Sequence, residues 1–382
     1  KADWDRFSKL ITEGSKKLEH DAKRCRGKTR IDELTASLTT LITDCLRKST
    51  EKVRVCGRSK QWWTDDLKAK LKESRKAKRE AKRYPNSETQ TKAKECGEEF
   101  EEAMSEAKRK CWNDFLSSRN SNNIWDVLAY VKEKQPRTVV PQLTRKDGTT
   151  TKELSEIVDC FFEELFPLAP SSGSLGTPPT PTEDPRWPKL KVSEIGQALY
   201  QQAPYKAPGP DNIKTIAIRK AWQVESCRKV ITSLFCECVK IGYHPKAFRS
   251  GQTVILRKPN KPETLARSYR PITLLNCLGK VLEKVVQKRL ASLTADTIPK
   301  QQFGGRNGFS TADALAKLIS YTEVNQSWNR VTSILAIDIK GAFDNVHKGV
   351  LLKTMSDMDL PEASKLWVSH FLGGRRTSLI ID

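Results

Sequence analysis

No run of apolar residues in this chain approaches the roughly twenty that a bilayer-spanning helix needs, which argues against a helical membrane protein. The opening residues, Lys1-Ala2-Asp3-Trp4, begin a polar helical pattern without an apolar stretch, so no signal peptide is expected there. The first residue is not Met, and an interior piece of a longer product is expected. Histidine is scarce, with His20, His244, His347 and His370 alone. The ten cysteines stand singly except for Cys236-Glu237-Cys238, and no pair has the two-residue gap of a zinc knuckle. A structural zinc site is therefore not supported, and reduced thiols in an intracellular protein are expected. Apolar content is 37% and mean hydropathy −0.58, low for one compact enzyme, so part of the chain should be extended or solvent-rich. Positive charge is in excess: 68 Lys and Arg against 46 Asp and Glu give a net +22. That excess points to a polyanionic partner, nucleic acid before membrane.

Composition divides the 382 residues into three stretches. Residues 1–167 read as a mostly helical, basic region. In it, Trp62-Trp63 precede a helix capped by Thr64 and ended by Pro85. Between Lys68 and Arg83 nine basic residues, Lys76 and Arg79 among them, face two acids. A second helix, about 88–118, carries glutamates ahead of Lys108-Arg109-Lys110, a sign pattern that suits its dipole and antiparallel pairing with the basic helix. Two readings of the basic helix stand: a solvated charged face, or a surface that follows a phosphate backbone. Asp147-Gly148 predicts a small hairpin. Residues 168–188, rich in Pro, Ser, Gly and Thr, read as a flexible linker. Residues 189–382 alternate helical stretches (195–200, 230–241, and 278–290 capped by Asn276) with a β-branched strand at 253–257. Ser310 and Asp313 form a capping-box pattern. This order suits an α+β domain with helices packed on an antiparallel sheet.

The stretch Ser333-Ile334-Leu335-Ala336-Ile337-Asp338-Ile339 reads as a buried strand that ends in an acid. A carboxylate in such a strand is costly unless a cation or hydrogen bonds compensate it. Gly341 then lets the backbone pass close to something, and Asp344 or Asn345 can cap a helix carrying Val350, Leu351 and Met355. A buried acid, a glycine turn and then Phe343 suit a metal and triphosphate site. Taken alone, Asp338 reads first as a strand-end acid bonded to backbone amides.

Upstream lie Lys206-Ala207-Pro208-Gly209-Pro210-Asp211, Ser268-Tyr269-Arg270-Pro271-Ile272, and Gln302-Phe303-Gly304-Gly305-Arg306 through Ser310-Thr311. With the Asp338 stretch, and in this order, they resemble the reverse transcriptases of non-LTR (LINE-type) retrotransposons over Leu190–Asp382. The part before resembles the linker that joins such an element's endonuclease to its polymerase. The resemblance implies an α+β right-hand polymerase, fingers and partial palm, preceded by a mostly helical N-terminal region. It also implies RNA-directed DNA synthesis onto a DNA 3′-OH by two-metal nucleotidyl transfer, with Mg²⁺ (or Mn²⁺). The partners implied are an RNA template, a DNA primer or target and deoxynucleoside triphosphates, and the location the nucleus.

Such chemistry needs two hard cations about 4 Å apart, held by oxygen donors. By resemblance, Asp338 and the Ile339 carbonyl would be metal ligands. Gly341 and Ala342 would offer N–H groups to the triphosphate, and Phe343 would reject a 2′-hydroxyl. Lys258 and Arg270, each held extended by the proline that follows, would meet the phosphates. Lys206 and Arg306, with Lys76 and Arg79 of the basic helix, are the candidate nucleic-acid contacts. Gly305 stands where many relatives have an aromatic. The family's Tyr/Phe-Ala-Asp-Asp hairpin and Pro-Gln-Gly loop do not occur in these residues. The fragment alone is therefore expected to be inactive. The competing readings are a non-catalytic RNA-binding relic and a group II intron maturase-like protein, which fits Pro-Gly-Pro-Asp less well.

Overall fold

The computed structural model describes residues 2–50, 60–118, 140–166, 183–339, 341–343 and 345–381. The chain forms two compact units, one built from Lys1–Glu51 together with Thr138–Asp382, the other from Lys52–Arg137.

The first unit begins with a helical pair, α1 (Trp4–Lys23) and α2 (Gly27–Ser49). Asp3 caps α1 by accepting from the Asp5 and Arg6 amides. Phe7 and Ile11 on α1, and Ile31, Leu38 and Ile42 on α2, recur at helical spacing and are fully buried. They share one core with Leu234 and Phe235 of a later helix (Glu225–Lys240) and Val281 and Leu282 of another (Cys277–Leu293). Even the polar Ser15 is buried there, its hydroxyl 2.5 Å from that of Ser226.

In the second unit α3 (Asp65–Arg83) and α4 (Ser87–Ser117) make a helical hairpin through Tyr84-Pro85-Asn86. Thr64 caps α3 as expected, and Asn86 forms a capping box with Thr89 on α4. Leu67, Ser74 and Ala77 are the buried residues of α3. The expected pairing by charge is not what joins them: among the described residues no ion pair runs from α3 to α4. The basic residues of α3 are largely exposed.

Back in the first unit follow α5 (Leu154–Leu165), α6 (Val192–Tyr200), α7 (Thr215–Gln223) and α8 (Glu225–Lys240). Next come β1 (Ser250–Arg257), β2 (Tyr269–Leu275), α9 (Cys277–Leu293) and α10 (Thr311–Ser327). The series ends with α11 (Lys348–Asp357), α12 (Glu362–Leu372) and β3 (Arg376–Ile380). The sheet is small and ordered β2-β1-β3. β1 is antiparallel to β2 but parallel to β3, so the sheet is mixed rather than antiparallel. β2 ends and β3 begins beside the start of β1, so β3 enters along the other edge of β1 in the same direction as β1. Thr253, at the centre, ties its neighbours together: its hydroxyl lies 2.8 Å from that of Thr273 and 2.7 Å from that of Thr377. A second small core joins Phe161 of α5 to Tyr269 of β2 in an edge-to-face contact. The Asp147-Gly148 turn forms a single antiparallel bridge, Thr144 with Thr150, with Gly148 at φ +84°.

The expected division at 168–188 is not where the contacts divide the chain, because α1 and α2 bury their apolar faces against α8 and not apart from it. Residues 168–182 of the expected linker lie outside the described residues. Residues 183–188 do not behave as a linker. Arg186 binds Asp184 and reaches the Asp359 carbonyl and carboxylate, and buried Trp187 donates its Nε1 proton to the Val239 carbonyl. Arg289 of α9 completes the anchorage, gripping both Glu194 oxygens at 2.8 Å and the Pro188 carbonyl at 2.6 Å.

Candidate functional site

The strongest sequence expectation, a buried strand ending at Asp338, is not what the structure shows. Residues 331–339 form neither helix nor strand, and Asp338 is exposed. Ile334 (63%), Leu335 (83%), Ile337 (78%) and Ile339 (70%) face solvent. The physical reason is that a strand exists only through its ladder: backbone N–H and C=O groups need neighbours alongside. β-branched composition cannot supply those neighbours.

Past Asp338 the chain turns sharply. Gly341 takes φ +62°, and its carbonyl accepts from the Asn345 amide at 3.0 Å. Phe343 is 95% exposed, so its ring stands free at the tip of the turn beside Ala342. Lys340 and Asp344 lie outside the described residues. The cap of α11 is not Asn345 but His347, whose Nδ1 accepts from the Val350 amide at 3.4 Å. For a metal, the donor set among the described residues of this turn is one carboxylate and the adjoining Ile339 carbonyl. These are hard oxygens of the kind Mg²⁺ takes, but too few for two cations. Among the described residues no group of three or more acids, histidines or cysteines is arranged to hold a metal.

Lys258 and Arg270 are brought together. They sit at the same end of the β1–β2 ladder, where Leu256 faces Arg270 and the Lys258 amide donates to the Ser268 carbonyl at 2.8 Å. The Lys258 ammonium is tethered to the Arg267 carbonyl at 2.7 Å, while Arg270 is exposed. Neighbouring Arg257 is engaged by Glu263. Arg306 leaves its loop between two left-handed glycines, Gly305 and Gly308. It donates to the Pro299 carbonyl and lies 4.6 Å from the Phe309 ring centroid. The Ser310–Asp313 capping box that follows is present in full. No hydrogen bond or ion pair among the described residues joins Asp338 to Lys258, Arg270 or Arg306.

The Pro-Gly-Pro-Asp loop shows what sequence reasoning missed. Gly209 lies against the junction of β2 and α9 so closely that a Cβ would come within 2.5 Å of the Asn276 nitrogen and the Leu275 carbonyl carbon. Asp211 accepts from the Ile213 amide and, at 2.8 Å, from the Asn276 side chain. Burial raises its carboxyl pKa above the usual carboxylate range, against those hydrogen bonds. Asn276 therefore occupies the N-cap position of α9 while its side chain binds Asp211 and not the helix. The loop clasps the end of the strand that carries Arg270. Lys206, at the start of that loop, is exposed.

This spatial order of a β1–β2 hairpin with terminal cations, a glycine-flanked arginine loop, a capped helix and an acid-glycine-aromatic turn spans one continuous stretch. Residues 256–380 match the family of the reverse transcriptase (RNA-dependent DNA polymerase). These residues resemble a reverse transcriptase domain. Homology continues over most of the chain. It is 28% identical over 324 residues to the Pol polyprotein of the type-1 retrotransposable element R1 from Bradysia coprophila, covering 83% of this chain and 32% of that protein. It is 28% identical over 284 residues to the RNA-directed DNA polymerase of the mobile element jockey from Drosophila funebris (70% and 30%). The jockey polymerase of Drosophila melanogaster is 32% identical over 197 residues (50% and 21%). The chain thus spans about a third or less of the length of these relatives. All the candidate reverse transcriptase residues from Lys258 to Phe343 fall inside the matched domain, whereas Lys206 precedes it.

Proposed function

We propose that the protein to which this chain belongs is the RNA-directed DNA polymerase of a non-LTR retrotransposon, copying an RNA template onto a DNA 3′-end from deoxynucleoside triphosphates. The observation that carries this reading is the match over residues 256–380, joined to relatives named as polymerases of mobile elements. In this reading β1 and β2 belong to the fingers, and the Asp338 segment opens the palm. Arg270, with Lys258 beside it, meets the triphosphate, neutralising charge that grows as the pyrophosphate leaves. The Gly341 and Ala342 amides hold the same phosphates. The exposed Phe343 ring lies under the incoming sugar and excludes a ribose 2′-hydroxyl. Asp338 and the Ile339 carbonyl would hold a divalent cation, Mg²⁺ or Mn²⁺, which would supply positive charge to the phosphoryl transfer. Arg306 and Lys206 contact the nucleic-acid backbone. Lys76 and Arg79 of the basic hairpin do so as well, and the nucleus is the proposed place of action.

Among the described residues Asp338 is the single carboxylate of this turn, and we propose that these residues do not suffice for DNA synthesis unaided. The decisive test is Asp338→Asn in the full-length protein. DNA synthesis on a primed RNA should fall by at least about a thousandfold if a metal ligand is lost, while RNA binding stays unchanged. Undiminished synthesis by that variant would refute the role of Asp338. In the same protein Phe343→Val should admit ribonucleotides without loss of deoxynucleotide incorporation, read as the ratio of the two kcat/KM values.

A further inference from the structure

Away from the turn at Asp338, the first unit contains a cleft of about 1270 Å³. Its walls are the α1–α2 turn, the 183–190 segment, the C-terminal half of α8 and one face of α12. The 183–190 wall is fixed by the Arg186 and Arg289 contacts described above. The floor is apolar, with Trp187, Ile241 and Leu366, and the rim carries charge of both signs. The acids are mostly answered within the protein. Asp184 is bound by Arg186, and buried Glu237 takes the Gly27 amide at 3.2 Å and the Arg26 guanidinium at 3.8 Å. Lys23, Lys28, Lys189 and Lys240 remain, all exposed and in no ion pair among the described residues, against Glu183.

We propose that this cleft binds single-stranded RNA, the four lysines following its phosphates while bases rest on the apolar floor. Sequence-independent strand binding needs this pairing of a cationic track with apolar surface. An acidic peptide is a poorer match. The walls are helices and a pinned loop with no free strand edge, so a peptide main chain has no ladder to join. RNA is the strand committed to because, on the polymerase reading on which this inference rests, the unpaired polymer beside the enzyme is its template.

The test uses the whole chain and a fluorescein-labelled oligouridylate, with anisotropy followed across a range of KCl. The variant K23Q/K28Q/K189Q/K240Q should bind about tenfold or more weakly, and its log–log salt slope should fall by about 3, from four single-strand phosphate contacts at ~0.7 each. A control with K9Q/K16Q/K17Q/K353Q removes the same charge from exposed positions elsewhere and should leave the slope near the parent value. Ser233→Trp fills the cleft without touching a charge and should weaken binding while the circular dichroism spectrum is retained. Should that variant fail to fold, the glutamine variant and its control decide. Equal loss in the control, parental affinity in a folded Ser233→Trp, displacement of RNA by an acidic peptide, or tighter binding of oligothymidylate would each overturn the proposal. Binding is read without synthesis, so these outcomes leave the Asp338 test of the polymerase reading intact.

Discussion

At the scale of single residues, Gly209 has little freedom. Its neighbours at 2.5 Å are backbone atoms of Leu275 and Asn276, which cannot rotate away as a side chain would. Gly209→Ala should destabilise the first unit by about 1–3 kcal/mol, visible as a lower urea midpoint. His244 offers a pH test. It is buried among Phe248, Trp367 and Phe371, and that burial, reinforced by Arg375 and Arg249, pushes its pKa down to about 3. With the usual value of 6.5 in the unfolded chain, only the unfolded form takes up the proton between these limits. Stability is therefore full above pH 6.5 and lost as pH falls toward 3. Moving from neutral pH to pH 5 should remove about 2 kcal/mol through this residue, a loss that His244→Phe should largely abolish when urea midpoints are compared. Asp211 and Glu283 oppose it, since burial raises both carboxyls. Their contribution is greatest at low pH and is lost as pH rises through their folded values.

At the scale of elements, what was legible in the sequence was local. Thr64 and the Ser310–Asp313 box announce helix starts through hydrogen bonds within four residues, and both are in place. The β-branched run at 253–257 lies within β1, and the apolar stripe from Leu278 to Leu290 is α9. What failed was non-local or chemically unusual. Asp338 was read as strand-borne from composition, but pairing partners are not encoded in the seven residues around it. His347 was missed as a cap because an imidazole rarely takes that place. Asn276 looked like a cap until Asp211, sixty-five residues away, claimed its amide. The candidate site was accordingly readable as a set of residues and unreadable as a geometry. One consequence concerns α2. Because Leu38 sits in the same core as α8 and α9, Leu38→Ala should cost about 2–5 kcal/mol and lower the unfolding midpoint of α8 and α9 together with α1 and α2, in one transition. Two separate transitions by tryptophan fluorescence and far-UV dichroism would show that the helical pair is only appended.

At the scale of the molecule, a net charge of +22 and a helix, α3, whose cations pair with no acid of α4 among the described residues make salt the natural probe. Lys76→Gln with Arg79→Gln should lower the salt slope for single-stranded RNA by about 1.4, from two contacts at ~0.7 each, without shifting the urea midpoint. An unchanged slope would return α3 to the role of a solvated face.

The core shared by α1, α2 and α8 also has a consequence during biosynthesis. Phe7, Ile11 and Leu38 leave the ribosome long before Leu234 and Phe235, their partners roughly two hundred residues downstream. At typical translation rates that delay is on the order of 10–40 s, with the second unit emerging in between. The nascent chain must hold an uncovered apolar hairpin for that interval, which makes it a natural client for a chaperone. Products terminated before α8 should accumulate in the pellet, whereas those carried past α9 should stay in solution.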